Sequence, residues 1–215
     1  MIDARGRKYF DPLFSKLADQ LIAWKFKPMQ VTSLALLLGL LAGLLLYFEY
    51  FFPAFLLLWC SGLFDVLDGQ IARKLGCASL WGAVLDIVSD RIVELAIIWA
   101  FALRRKDSLL ALLFLTSSIL MSMTVFLTTG MATEKLKQSG KTPANQVSRH
   151  RRGVQKSFYY QAGLMERTEG FIAFSLMMLF PSQLTLFTWI YAALIVFTIG
   201  QRLLDAWQLL HPGKL

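Results

Sequence analysis

The chain is short of charge, cysteine and histidine. Of its 215 residues, 17% are charged, against roughly a quarter in ordinary soluble domains. The two cysteines, Cys60 and Cys77, form no C-x-x-C and no metal-ligand spacing, which excludes a zinc ribbon or a dithiol redox site. Both read as small packing residues. His150 and His211 lie in a polar stretch and a tail, and neither is expected to hold a metal. No base-reading module accompanies the net charge of +8, so nucleic acid is not an expected partner. No internal repeat or low-complexity segment is present. A long charged arm precedes the first apolar run, the wrong order for a cleavable leader, and none is expected.

What the chain has instead is long apolar runs. Val31 to Phe48 is eighteen residues without a charge, Ser108 to Thr133 is twenty-six, and Gly170 to Gln201 is thirty-two, broken by Pro181-Ser182-Gln183. About 20 apolar residues carry a helix across the hydrocarbon core. The reading is an all-α polytopic membrane protein with six transmembrane helices, at 31–50, 54–76, 80–103, 108–130, 161–181 and 185–207. Residues 1–29 form an N-terminal arm, and 30–210 form the transmembrane domain. In the arm, Phe10, Leu13, Phe14, Leu17 and Leu21 fall on one helical face, and Arg5, Arg7, Lys8, Lys16, Lys25 and Lys27 supply a basic side. Such an amphipathic helix lies in the interface rather than crossing it. Lys and Arg gather in cytoplasmic segments. The arm and the basic 131–160 stretch are therefore placed inside, leaving Arg104-Arg105-Lys106 outside.

Two of the expected spans carry acid. The second contains Asp65 and Asp68, the third Asp86 and Asp90. At about 100° per residue, Asp65, Asp68, Gly69, Ala72 and Arg73 share one helical face. Gly82, Asp86 and Asp90 are successive i+4 neighbours on another. A short turn makes the two spans antiparallel, so the acidic stripes meet at one depth. An ionised carboxylate near the bilayer centre costs about 2.5–3.5 kcal/mol on insertion scales. Protonation, basic partners or metal would relieve that cost. Oxygen-only ligands select hard cations, Mg²⁺ or Mn²⁺, and four carboxylates suffice for two ions of the kind used in phosphoryl displacement. A divalent-cation transporter or channel is the alternative, although the outer halves of both spans look apolar. Small residues at Gly69, Ala72 and Gly82 let a bulky ligand approach the helix backbones, which an ion path would not need.

The spacing D-x₂-D-G-x₂-A-R-x₈-G-x₃-D-x₃-D, carried by Asp65, Asp68, Gly69, Ala72, Arg73, Gly82, Asp86 and Asp90, resembles the signature of the CDP-alcohol phosphotransferases. The resemblance implies a membrane enzyme of phospholipid biosynthesis. It would displace CMP from a CDP-linked lipid, usually CDP-diacylglycerol, with a small hydroxyl acceptor such as glycerol 3-phosphate or an inositol phosphate. It implies metal on Asp65, Asp68, Asp86 and Asp90, with Asp90 also the general base. Gly69, Ala72 and Arg73 would line the CDP site, with Gly82 giving room beside it. Pro28 and Thr32 match a Pro-Asn-x-x-Thr pattern found near the nucleotide, with Met29 in place of Asn. A homodimer in a bacterial cytoplasmic membrane, with its active site on the cytoplasmic side, is also implied.

Polar residues at the start of the fifth span, Glu166, Arg167 and Glu169, are candidates for the acceptor pocket; the other reading puts Glu166 and Arg167 in the headgroup layer. Arg149, Arg152 and Lys156 are candidates for an acceptor phosphate, or for a positive-inside contact with anionic lipid. Phe158-Tyr159-Tyr160 reads as an interfacial aromatic belt. Arg91 and Glu94 are expected to pair on the third span.

Overall fold

The computed structural model describes residues 2–138 and 167–210. Among them are seven α-helices and no strand: α1 (Ile2–Ala23), α2 (Pro28–Tyr47), α3 (Phe51–Lys74), α4 (Leu80–Arg104), α5 (Leu109–Gln138), α6 (Arg167–Leu179) and α7 (Leu184–Leu210). Single 3₁₀ turns, Lys106–Ser108 and Pro181–Gln183, lead into α5 and α7. The apolar runs explain most of this, and the breaks have local causes. Pro28 opens α2 in its first turn, where its missing N–H costs nothing. α2 therefore begins at Pro28. Ser79 caps α4, its hydroxyl accepting a hydrogen bond from the Gly82 N–H at 3.0 Å, which satisfies one of the orphan donors of a helix start.

Among the described residues, four segments are long and apolar enough to cross a membrane: Pro28–Tyr47, Phe51–Lys74, Lys106–Leu136 and Pro181–Gln208. The chain is an integral membrane protein. The sequence reading counted six crossings, and the two others differ for physical reasons. α4 has 25 residues, about 37 Å at 1.5 Å each, but Asp86, Asp90, Arg91 and Glu94 interrupt its apolar character. The described part of α6 has 13 residues, and residues 161–166 of the expected fifth span lie outside the described ones.

α2 packs along both α3 and α4; α5 pairs with α7; α6 bridges α3 and α7; α1 lies against α3 and α6. The α2–α4 approach is close because Gly39 and Gly43, one turn apart, present bare backbone to α4. A Cβ at Gly39 would sit 2.3 Å from Val93 Cγ2, and one at Gly43 3.1 Å from Ala96 Cβ. Small residues at this spacing bring backbones together where lipid offers no hydrophobic drive for helix association. A central core joins Leu46, Leu58, Ile97, Phe101, Leu115 and Met177. A second cluster, Ala18, Val31, Leu67 and Ile71, fixes α1 on α2 and α3. Leu37, Leu44, Leu110, Leu113 and Leu120 point outward, as residues solvated by lipid chains should.

Candidate active site

α3 and α4 carry the acidic residues, and a five-residue turn joins them. The turn is tight because Gly76 takes a left-handed φ of +62°. It donates from its N–H to Arg73 O at 3.2 Å, and Cys77 N–H donates to Ala72 O at 3.0 Å, the paired bonds of a glycine helix stop. The helices therefore run back on each other, and Asp65, Asp86 and Asp90 converge. One carboxylate oxygen from each lies within 4.8 Å of the others. Asp65 is buried, with 7% exposure, and Asp86 and Asp90 are partly buried.

Asp68 is equally buried and is turned toward α2, where the Thr32 hydroxyl donates to its Oδ2 at 2.5 Å. Thr32 is thus tied to the acidic group directly. Gly69 lies under the Arg73 guanidinium: a Cβ there would be 3.3 Å from one terminal nitrogen. Ala72 is half-buried and Arg73 exposed on the same helix end. At Gly82 a Cβ would meet only the Ser79 hydroxyl, at 3.2 Å, so the space beside it is open. Pro28 is half-buried at the head of α2 and its carbonyl accepts from Thr32 at 3.1 Å.

A cleft opens on the other side of the acidic group. Asp65 and Asp90 reach into it, with Ser61, Ser89 and Glu94, between walls that include Leu58, Ile97, Phe171 and Phe174. Phe171 gets there because α3 has Gly62, whose Cβ would stand 2.6 Å from the ring. Arg91 grips Glu94 with both terminal nitrogens, Nη2 to Oε1 at 2.6 Å and Nη1 to Oε2 at 2.5 Å, so the expected pair forms. The buried Tyr191 hydroxyl occupies the room left by Gly170. Glu169 is half-buried in the first turn of α6, and Arg167 begins that helix. Glu166, Arg149, Arg152 and Lys156 lie outside the described residues, as do Phe158–Tyr160 and both histidines.

Sequence reasoning missed Ser61, Ser89, Gly62 and Tyr191, because none carries a signal until the neighbouring helix faces are known. Gly39-x₃-Gly43 could have been found from its spacing.

The donor set fits a divalent ion. Oxygens at opposite corners of an octahedral Mg²⁺ site stand about 4.2 Å apart, twice a 2.1 Å bond. A group spread over 4.8 Å needs only a small side-chain adjustment to enclose one.

Residues 26–200 match the family model of the CDP-alcohol phosphatidyltransferases, and the chain belongs to that family. Among curated relatives it is 28% identical over 213 residues to a phosphatidylinositol phosphate synthase of Mycobacterium marinum, covering 97% of this chain and 84% of that protein. It is 41% identical over 86 residues to a bifunctional IPC transferase and DIPP synthase of Aquifex aeolicus, covering 39% of this chain but only 19% of the larger protein. The fold is shared with the crystal structure of Mycobacterium tuberculosis phosphatidylinositol phosphate synthase with CDP-DAG bound, at a TM-score of 0.67 and 24% identity over 94% of this chain and 96% of that one.

Proposed function

We propose that the protein transfers a phosphatidyl group from CDP-diacylglycerol, or a similar CDP-lipid, to a hydroxyl of a small phosphorylated alcohol, glycerol 3-phosphate or an inositol phosphate, releasing CMP. The observation that carries this is the convergence of Asp65, Asp86 and Asp90 within 4.8 Å on a helix pair where Gly82 leaves space open and only the Arg73 guanidinium lies over Gly69. Family membership supports the reaction class. The names of relatives, phosphatidylinositol phosphate synthases and a glycerol-3-phosphate phosphatidyltransferase, support the acceptors.

In this reading the acceptor oxygen attacks the phosphorus that bears the diacylglycerol. The bond from that phosphorus to the oxygen bridging to CMP breaks, and Asp90 takes the acceptor's proton. Asp65, Asp68, Asp86 and Asp90 would hold two divalent ions, Mg²⁺ or Mn²⁺, which when bound would supply positive charge to the diphosphate and the departing CMP. A crystal structure of the M. tuberculosis enzyme in complex with manganese and citrate supports this ligand chemistry. Arg73 adds positive charge beside Gly69, and Ala72 and Gly82 keep the CDP site free of side chains. Thr32, with Pro28 behind it, holds Asp68 in place. A base flanked by cations is weak, so orientation and charge stabilisation provide most of the rate. Glu166, Arg167, Glu169, Arg149, Arg152 and Lys156 remain the proposed acceptor contacts.

The proposed setting is a bacterial cytoplasmic membrane. α4 and α6 complete six crossings, α1 lies amphipathic in the cytoplasmic interface as an arm before the catalytic domain, the active site opens inward, and the chain works as a homodimer. Purified protein should release CMP from CDP-diacylglycerol only with Mg²⁺ or Mn²⁺ and an acceptor. Asp90→Asn should lower that rate by about 10²–10⁴-fold, while calorimetry shows CDP-diacylglycerol still bound. Near-normal turnover by this variant would remove Asp90 from its role.

A further inference from the structure

Pro28–Tyr47 is long and apolar enough to cross a membrane. The residues just before it, Trp24-Lys25-Phe26-Lys27, therefore stand at the boundary between hydrocarbon and water. They form the turn from α1 into α2. Trp24 is 69% exposed, Met29 in the first turn of α2 is 59% exposed, and Phe26 is exposed beside them. Water is a poor solvent for three such side chains together, whereas aromatic rings settle readily at headgroup level. Lys25 and Lys27 alternate with them and are exposed as well.

The charge around this turn is one-sided. No acidic residue lies between Asp19 and Glu49 in the sequence. Asp19 and Asp11 of α1 are turned toward α3, where Asp19 Oδ1 accepts from Lys74 Nζ at 2.5 Å and Asp11 Oδ1 from Gln70 Nε2 at 3.4 Å. Lys74 also donates to the Ser15 carbonyl at 2.9 Å, and Ala18 packs with Val31, Leu67 and Ile71. This clamp fixes where the turn stands and takes up the acids of α1. Lys25 and Lys27 are left without an ion pair among the described residues. Lys25 also has a left-handed φ of 63°, a conformation that glycine takes without steric cost. A lysine thus stands where the backbone favours glycine and where its ammonium group meets no acid of the protein, and backbone strain of this kind points to function.

We infer that the Trp24–Lys27 turn binds the headgroup of an anionic phospholipid in the surrounding leaflet. Lys25 and Lys27 meet its negative charge, and Trp24, Phe26 and Met29 lie against the first carbons of its chains. A zwitterionic headgroup carries a positive group that offsets the attraction. The site lies at the bundle end that holds the aspartates, because Thr32, about 7.5 Å along the helix from Lys27, bonds to Asp68. It does not depend on the transferase reading.

Native mass spectrometry of the purified protein in detergent, with dioctanoyl phosphatidylglycerol or dioctanoyl phosphatidylcholine added, reads the affinity for each headgroup. A lysine near an anionic lipid surface contributes enough to change binding about fivefold. The wild type should therefore bind phosphatidylglycerol about thirtyfold more tightly than phosphatidylcholine. Lys25→Gly should lower that preference about fivefold, and Lys25→Gly/Lys27→Gln should bring the two lipids to within about threefold. The double variant should melt no lower than the wild type in detergent, which separates lost binding from lost fold. Arg105→Gln, at the opposite end of the bundle, should leave the preference unchanged, and CDP added with Mn²⁺ should leave the lipid bound. Equal binding of both lipids by the wild type, or a preference that survives in the double variant, overturns the inference. So does a preference lost in Arg105→Gln, or displacement by CDP, which would put the lipid in the nucleotide site.

Discussion

Thr32 is the residue whose role is easiest to misjudge. It is a small hydroxyl at the head of an apolar helix, and its neighbours Pro28 and Met29 draw more attention in the sequence. Yet its hydroxyl donates to Asp68 at 2.5 Å across thirty-six residues, and Asp68 is 7% exposed. Residues that orient a ligating carboxylate typically change metal affinity by about 10–100-fold when lost. Thr32→Val should therefore raise the Mn²⁺ concentration for half-maximal CMP release by about 10–100-fold, and Thr32→Ser should restore it; a Mn²⁺ titration of both variants checks this. At this scale the four aspartates were legible because carboxylates in apolar spans have few explanations. So was the Arg91–Glu94 pair, whose spacing of three fits a helix face. Ser61 and Ser89 were not, since a serine in a membrane helix normally bonds its own backbone. Only the juxtaposition of α3 and α4 puts Ser61 in one cleft with Asp90. Gly62 was equally silent, since its meaning is the Phe171 ring on another helix.

Helices α1, α2 and α3 all end the same way, with a left-handed residue and paired backward hydrogen bonds. At α3 the residue is Gly76, but at α1 and α2 it is Lys25 (φ 63°) and Glu49 (φ 64°). A side chain there costs about 1 kcal/mol relative to glycine. Glu49 has a compensating contact, an ion pair with Arg104 at 3.3 Å, that ties the far ends of α2 and α4. Lys25 has no such contact among the described residues. Lys25→Gly should therefore stabilise the protein by about 0.5–1 kcal/mol, seen as a higher thermal midpoint in detergent. Helix positions were legible in the sequence to within a few residues, because charge-free runs have sharp edges. α5 continues to Gln138, past the expected end at 130, because Met131 to Gln138 has good helix formers and no breaker. The apolarity of α4 was the harder reading, as the same four charged residues that mark the site make it a poor membrane segment by composition.

For the whole molecule, the N-terminal arm and the segment 131–160 carry most of the positive charge, and the α3–α4 turn is expected on the same side. Cys77 stands exposed in that turn and Cys60 within α3. In a Cys60→Ser background, a membrane-impermeant thiol reagent should label Cys77 in inside-out vesicles and leave it unlabelled in right-side-out ones; labelling from outside would reverse the proposed orientation. The bundle as a whole was legible from hydropathy, but which helices touch was not, because lipid and protein interiors are alike in polarity. Pairings such as α5 with α7 follow from shape. The brevity of the α3–α4 connection has a biosynthetic corollary. Every carboxylate of the cluster is translated within one stretch of twenty-six residues, and contacts this local in sequence close quickly. The hairpin can thus adopt its final geometry while the remaining helices are still on the ribosome. α6 then arrives, with Phe171 and Phe174, as a wall beside carboxylates already gathered, and alterations in it would retune what the site accepts before they disturb the carboxylates themselves.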